Sequence, residues 1–506
     1  MASAGLLRIL TTGLQDERLS YKIQPSTFQK AFVRAGRFTT EWYRVDFDNQ
    51  PAFGSIAKAT LPRRGHLITR AFLVTTMPDI SSAQAQARAY ATRNGLEFAG
   101  PTFGWTNSIG HALINSAEVT IGANPIDTLD GRLMEVMDEF HTPLEKVTVV
   151  NRMLGRHDNG FSARSNGFDK VQEVITPLPF WFCRGDPSSA LPIDAIGNDK
   201  VQINIGFNAV NNLYATTSRL GNATLPPILN SPFYYLDPSG SQVFGLNGKE
   251  TSVNASQIPG ISMPSSLLLQ DAHLLLEYVY IDRPEANRIR LADISYPIVQ
   301  HYSFTQQTNG HPSANVKMRI PNPCKEIYFM AHRTDADLLN APFLATRDLT
   351  GPQTSDVDAV APWWPDAQGL STEVFTTLVP AYSSTDSEPV QTMSLMYEGK
   401  MIRYSTDSPA FFRSILPSLE QRKTPWHNKY YYHMPFGTNL EAFGISTPMG
   451  HANLDKILKI DLSLTFKPFR GSNRITDVPA YTIYVWAETY NILRVYGGRA
   501  GLLFGY

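Results

Sequence analysis

Along most of this chain, apolar and polar residues alternate. In VQINIGF (201–207), Val201, Ile203, Ile205 and Phe207 fall on one face, with Gln202 and Asn204 on the other. IDLSLTF (460–466) repeats the pattern through Ile460, Leu462, Leu464 and Phe466. The segments 66–78, 117–122, 274–282, 326–333 and 482–496 also read as strands. A period of two with one polar face suits strands of antiparallel sandwiches. Helical spacing is rare. Leu133, Val136, Met137 and Phe140 fall at i, i+3, i+4 and i+7 behind Asp130, a suitable N-cap. A second short helix is expected over 143–154 behind Pro143, and a third over 283–294, where Pro284 lies near the start.

The pattern occurs twice. The segment 200–207 matches 459–466, and Leu61-Pro62 ahead of one strand matches Ile320-Pro321 ahead of another; both offsets are 259 residues. Toward the end of each copy, LEYVYID (276–282) and IYVWAET (483–489) are offset by only 207. The first copy therefore holds about 52 extra residues after Phe207. The stretch 209–266, rich in Asn, Ser, Gly and Pro, reads as a long loop insertion that supplies them. The expected fold is all-β: two consecutive eight-stranded antiparallel jelly-roll sandwiches with short helices in the connections. The expected divisions are an N-terminal arm (1–24), a first jelly roll (25–282), a linker helix (283–294), a second jelly roll (295–500) and a tail (501–506).

Composition narrows the function. The 506 residues are 42% hydrophobic and only 18% charged, which leaves weakly polar surface suited to subunit contacts. A net charge of −1 argues against a nucleic-acid-coating protein, so no direct nucleic-acid binding is expected. Residues 1–70 nonetheless carry 11 Lys/Arg against 5 Asp/Glu. Cys183 and Cys324, 141 residues apart, exclude a disulfide framework and a Cys-based zinc site, and fit assembly in a reducing compartment. The start of the chain lacks a signal-peptide h-region, and no apolar run approaches the roughly 18 residues of a membrane span. The sequons at Asn222 and Asn254 are accordingly expected to be silent. Leu6, Leu7, Ile9 and Leu10 form an apolar cluster suited to an arm that docks on an adjacent subunit, a minor shell protein or a membrane surface.

Five stretches carry a resemblance: RGHLITRAFLVTTMP, GWTNSIGHALINSAEVTIGANPIDTLDG, ITPLPFWFCRGDPSSALPIDAIGNDKVQINIGF, LLLEYVYIDRPEANRIRLADISYPI and YVWAETYNILRVYGGRAGLLF. Together they resemble the major capsid proteins of nucleocytoplasmic large DNA viruses of the iridovirus and phycodnavirus type. The chain departs from that pattern at RPEANRIR and in the loops 209–266 and 334–390. The resemblance implies a double jelly roll and a structural, non-enzymatic coat protein. It also implies pseudo-hexagonal homotrimeric capsomers tiling an icosahedral shell outside an internal membrane. Expected partners are other copies of the chain, minor capsid proteins beneath the shell and the membrane surface. The expected location is the virion, assembled in the host cytoplasm.

No catalytic, cofactor or metal residue is assigned. The chain contains no G-x-x-x-x-G-K-[ST], H-E-x-x-H or G-x-S-x-G motif. Asp46 and Asp48 could pair on one strand face as a glycosidase would require, but read better as a charged stripe. His427, His433 and His451 lack a ligand spacing. Trp363 and Trp364, flanked by prolines, should be buried against a trimer neighbour or on the sandwich top, with a carbohydrate platform as the alternative. In PLPFWFCRGD, Phe180, Trp181 and Phe182 are expected as core residues ending a strand, and Arg184-Gly185-Asp186 as a turn rather than an adhesion motif. The rival to a coat protein is a two-domain lectin or hydrolase on jelly-roll scaffolds, and solution mass separates the two.

Overall fold

The computed structural model describes residues 36–79, 98–156, 172–185, 187–220, 234–236, 242–246, 249–253, 268–334, 342–343, 345–347, 388–406, 409–419, 422–425, 429–438, 450–468 and 474–505. The first copy runs through β1 (Phe38–Asp46), β2 (Ile56–Thr60), β3 (Leu67–Met77), β4 (Phe98–Trp105), β5 (Ile114–Ile121), β6 (Asn124–Leu129), β7 (Gln172–Pro177) and β8 (Val201–Phe207). It continues through β9 (Tyr214–Leu220), β10 (Tyr234–Leu236), β11 (Gln242–Leu246), β12 (Lys249–Val253) and β13 (Asp271–Ile281). The second copy holds β14 (Ile294–Gln307), β15 (Ser313–Met318), β16 (Pro323–Arg333), β17 (Val390–Tyr397), β18 (Met401–Thr406), β19 (Tyr431–Pro435), β20 (Ala452–Asn453), β21 (Ile460–Phe466), β22 (Tyr481–Tyr496) and β23 (Arg499–Leu502).

Two four-stranded antiparallel sheets face each other in each copy. Sheet 1a has the order β1-β13-β3-β7 and sheet 1b the order β2-β8-β5-β6; sheet 2a holds β14-β22-β16-β19 and sheet 2b β15-β21-β17-β18. With β4, β9–β12, β20 and β23 set aside as additions, both copies have lateral orders 1-8-3-6 and 2-7-4-5. The strands that share the 259-residue offset, β8 and β21, are the seventh of their copies. The duplication visible in the alternation is thus a duplication of topology.

The insertion 209–266 is not merely a loop. It contributes β9–β12, which join β4 in a separate five-stranded sheet. Its Asn/Ser/Gly-rich composition hid these strands because short two-sided-polar strands carry no apolar alternation.

The helices form where expected. The helix Gly131–His141 is capped by Asp130, whose carboxylate accepts the Leu133 N–H at 2.7 Å. Its start abuts the preceding turn so closely that a Cβ on Gly131 would lie 2.2 Å from the His111 carbonyl oxygen, which leaves room only for glycine. A 3-10 turn (Leu144–Lys146) leads from Pro143 into the helix Val147–Leu154. The helix Arg283–Leu291 joins the copies, with Pro284 in its first turn, and β14 begins at Ile294.

Burial shows how the copies are arranged. In β1 only Val45 is buried, but in β16 every residue from Cys324 to Arg333 is buried. Along β16, Ile327, Phe329 and Ala331 enter the core of the second sandwich, while Tyr328 and Met330 join the core of the first. In β22, Val485 and Ala487 face one way and Trp486 the other. Sheet 2a is therefore covered on both sides, by sheet 2b and by the first copy, and has no face open to water, so any polar group on it needs a partner within the protein.

Candidate functional site

The most strongly structured polar feature among the described residues is the seam where the first copy covers the outer face of sheet 2a. Burying a charge without a partner costs several kcal/mol, so the ions here arrive in sets. In the first set, Glu488 of β22 accepts from Arg184 of the first copy at 2.7 Å and from Lys325 of β16 at 2.8 Å. Lys325 also lies 2.9 Å from Glu326, which pairs with Arg422 and lies 2.6 Å from the His433 ring. His301 of β14 sits between Asp127 of β6, at 3.1 Å, and Glu488, at 3.4 Å. Burial alone would raise the Glu488 carboxyl, but Arg184 and Lys325 hold it well below the usual carboxylate range. Glu326 is also held well below that range, by Arg422 and Lys325 against burial. Burial would lower the His301 imidazole, but Asp127 and Glu488 overcome it and hold it at about 9, so it is a cation at neutral pH. His433 goes the other way: burial and the nearby Arg422 bring it to about 4, and it stays neutral.

The second set lies at the helix Gly131–His141. Lys429, just before β19, donates to Glu135 at 2.9 Å and also to Glu139, while Lys423 lies 3.1 Å from Glu139. Arg156 pairs with Glu135 and Asp138, and His111 Nδ1 lies 2.7 Å from Glu135. Burial would raise Glu139, but Lys429 and Lys423 bring it down to about 2. Two further hydrogen bonds complete the seam: Trp486 Nε1 donates to Asp130 at 2.8 Å, and His141 Nε2 lies 2.7 Å from the Tyr328 hydroxyl. Many of these bonds join residues more than 170 positions apart in sequence. The arrangement joins the two sandwiches into one body.

The PLPFWFCRGD stretch runs from β7 into the seam. β7 ends at Pro177, on the edge of sheet 1a where a missing N–H is harmless. The three aromatics follow the strand rather than ending it, because the chain turns through a 3-10 helix at Trp181–Cys183. Phe180, Trp181 and Phe182 are all buried and in mutual ring contact. Gly185 turns with φ +85°. The Arg184 guanidinium is committed to Glu488, so an adhesion receptor could not take it without breaking the seam.

The other sequence candidates do not converge. Asp46 closes β1 and pairs with Arg44 at 2.7 Å; Asp48 lies beyond the strand and accepts from the Thr60 hydroxyl at 2.7 Å. The carboxylate-pair geometry is absent because Asp46 and Asp48 have separate partners. His433 is in the seam and His451 is exposed. Cys183 and Cys324 are free thiols, and burial pushes both up. Among the described residues no group of three His, Cys, Asp or Glu is placed to hold a metal ion. His427, Asp186, the tandem tryptophans 363–364, the two sequons and the apolar cluster at 6–10 lie outside the described residues. Sequence reasoning missed the seam. The one available signal was Glu326 and Glu488, acids in the middle of apolar strands.

Comparison with known proteins places the fold and the family. A family model described as "Major capsid protein N-terminus" matches residues 26–282, and one described as "Large eukaryotic DNA virus major capsid protein" matches residues 289–501. A major capsid protein of Phaeocystis pouchetii virus is 22% identical over 556 residues, covering 99% of both chains. That of Frog virus 3 is 21% identical, covering 96% of this chain and 94% of its own. Among solved structures, PBCV-1 VP54 superposes with a TM-score of 0.66 at 16% identity, over 95% of this chain and all of that one. The Faustovirus major capsid protein gives 0.60 at 11% identity, over 96% and 94%. Two sandwiches of one topology, fused by a buried seam and matched over nearly their whole length, make this chain a member of the major capsid protein family of large eukaryotic DNA viruses, a structural coat protein and not an enzyme.

Proposed function

We propose that this chain is the repeating unit of a homotrimeric capsomer. One observation carries the reading: two sandwiches of identical strand order lie side by side, and a seam of buried ion pairs fixes one to the other. Three such rigid pairs provide six near-equivalent sandwiches, so a threefold object can occupy a hexagonal lattice position. In this reading 25–282 and 295–500 are the two sandwich units, 283–294 the connector, and 501–506 a tail. Residues 1–24 form an arm toward minor capsid proteins or an internal membrane. Assembly takes place in the host cytoplasm, and the shell encloses a membrane without direct contact to nucleic acid.

Static light scattering on the purified chain tests the reading. The expected mass is three times 56.4 kDa. A chain that remains monomeric at the highest attainable concentration overturns it.

A further inference from the structure

Among the described residues, the chain makes one face-to-helix contact internally and leaves both halves of a matching contact open. Internally, the segment following the fifth strand of the first copy, the helix Gly131–His141, covers the outer face of sheet 2a. The second copy also has a helical segment after its fifth strand, β18: a π-turn at Phe411–Ile415 running into the helix Leu416–Leu419. The two segments are seated alike. Each sends one buried charge back to the residues just ahead of its copy's fourth strand: Glu135 to His111 at 2.7 Å, and Arg413 to Glu388 at 3.0 Å. Each also anchors a buried phenylalanine, Phe140 and Phe412, in a core cluster. The first segment goes on to cover sheet 2a. The second turns Ile415 (50% exposed) and Leu419 (68%) to solvent.

The outer face of sheet 1a is the corresponding open acceptor. Strand β1 shows Phe38 (69% exposed) and Trp42 (43%) there, and Trp42 lies against Phe72 of β3, with ring centroids 5.6 Å apart. Its charges are already paired on the face itself: Arg44 with Asp46 and Asp271, Arg70 with Glu277. The face thus presents an apolar stripe, with the exposed Glu173 of β7 at its far edge. Beside the stripe, Phe72 and Pro177 border a cavity of about 400 Å³ whose other walls mix Met134, Met137 and Val150 with Arg70, Asp138, Arg184 and Lys325. The exposed aromatic stripe itself suits a convex apolar segment.

We propose that the outer face of sheet 1a is the docking surface for the segment Phe411–Leu419 of a second copy of this chain, with Ile415 and Leu419 seated on Trp42, Phe72 and the adjoining cavity. The contact is heterologous: each copy offers a face to one neighbour and a segment to the other. Because the same contact inside the chain relates one sandwich to the next, repeating it between copies leads around a ring, and three copies of two sandwiches close it. The inference rests on the trimer reading and adds its contact surfaces.

Trp42→Asp and Leu419→Asp test it, each placing a charge at an exposed position, with Leu458→Asp (90% exposed) as control. Analytical ultracentrifugation should show trimer for the parent chain and Leu458→Asp. Each of the two test variants alone should be monomeric, with an unchanged near-UV spectrum as evidence of folding. Mixing them should then restore a two-chain species, since the intact segment of Trp42→Asp fits the intact face of Leu419→Asp. A parent trimer with both variants still trimeric overturns this inference while leaving the trimer reading intact. Monomeric variants that form no mixed species also overturn it. A monomeric parent chain removes the trimer reading and this inference together.

Discussion

The outer faces of sheets 1a and 2a come from the same topology and solve different problems. Sheet 2a is covered within the chain, and its face carries charges: Lys325, Glu326, His301 and Glu488 are all buried and paired. Sheet 1a is open within the chain, and its face carries aromatic residues plus ion pairs in contact with water. The contact sealed within one chain thus combines buried ion sets with core residues such as Tyr328, Met330 and Trp486, whereas the open face carries aromatic residues and solvated ion pairs. A buried ionic set demands fixed geometry from every member, because a single misplaced charge costs several kcal/mol. That requirement is easier to meet inside one folding unit. An exposed apolar stripe tolerates small shifts and still gains from burial.

The largest effect expected from this comparison comes from breaking the seam. Glu488→Gln leaves Arg184, Lys325 and the His301 cation with one buried anion fewer. Denaturant unfolding should show a loss of about 3–5 kcal/mol. Trp181→Ala should cost about as much, roughly 3–5 kcal/mol, because it empties a fully buried aromatic site. A loss below about 1 kcal/mol would mean that the aromatic turn is not part of the core.

A smaller effect depends on pH. His301 sits at about 9 in the folded chain, above the ordinary histidine value of about 6.5. Its contribution is therefore complete below about pH 6.5 and fades as pH rises through 9. Thermal unfolding should show stability falling from pH 7 to 9, and His301→Gln should flatten that slope. His433 has the opposite sign. Held at about 4 and neutral in the fold, it should weaken the seam as pH falls from 6.5 toward 4, while Glu326 and Glu488, held well below the ordinary carboxylate range, add their loss only at more acid pH. The smallest effect belongs to the open face. Asp271→Ala removes a pair whose side chains are 51% and 41% exposed, and should change stability by less than about 1 kcal/mol. If Asp271→Ala cost as much as Glu488→Gln, the contrast between the two faces would fail.

The sequence by itself located the strands whose apolar and polar residues alternate. Alternation in 201–207 and 460–466 located β8 and β21, the offset of 259 showed that they hold the same position, and Asp130 marked a helix start that its carboxylate caps. These signals are local, because a strand or a cap depends on residues a few positions apart. Tertiary structure alone decided the seam. Asp127, Arg184, His301, Glu326 and Glu488 are scattered over 361 positions, and apart from Glu326 and Glu488, set in apolar strands, each by itself reads as a solvated charge. Whether a charge is solvated or buried depends on which sheet face is covered, and in β16 and β22 that cover comes from residues of the other copy. The same reason hid β9 of the 209–266 stretch, which pairs with β4 about 110 residues away, whereas β10–β12 pair with their neighbours in sequence.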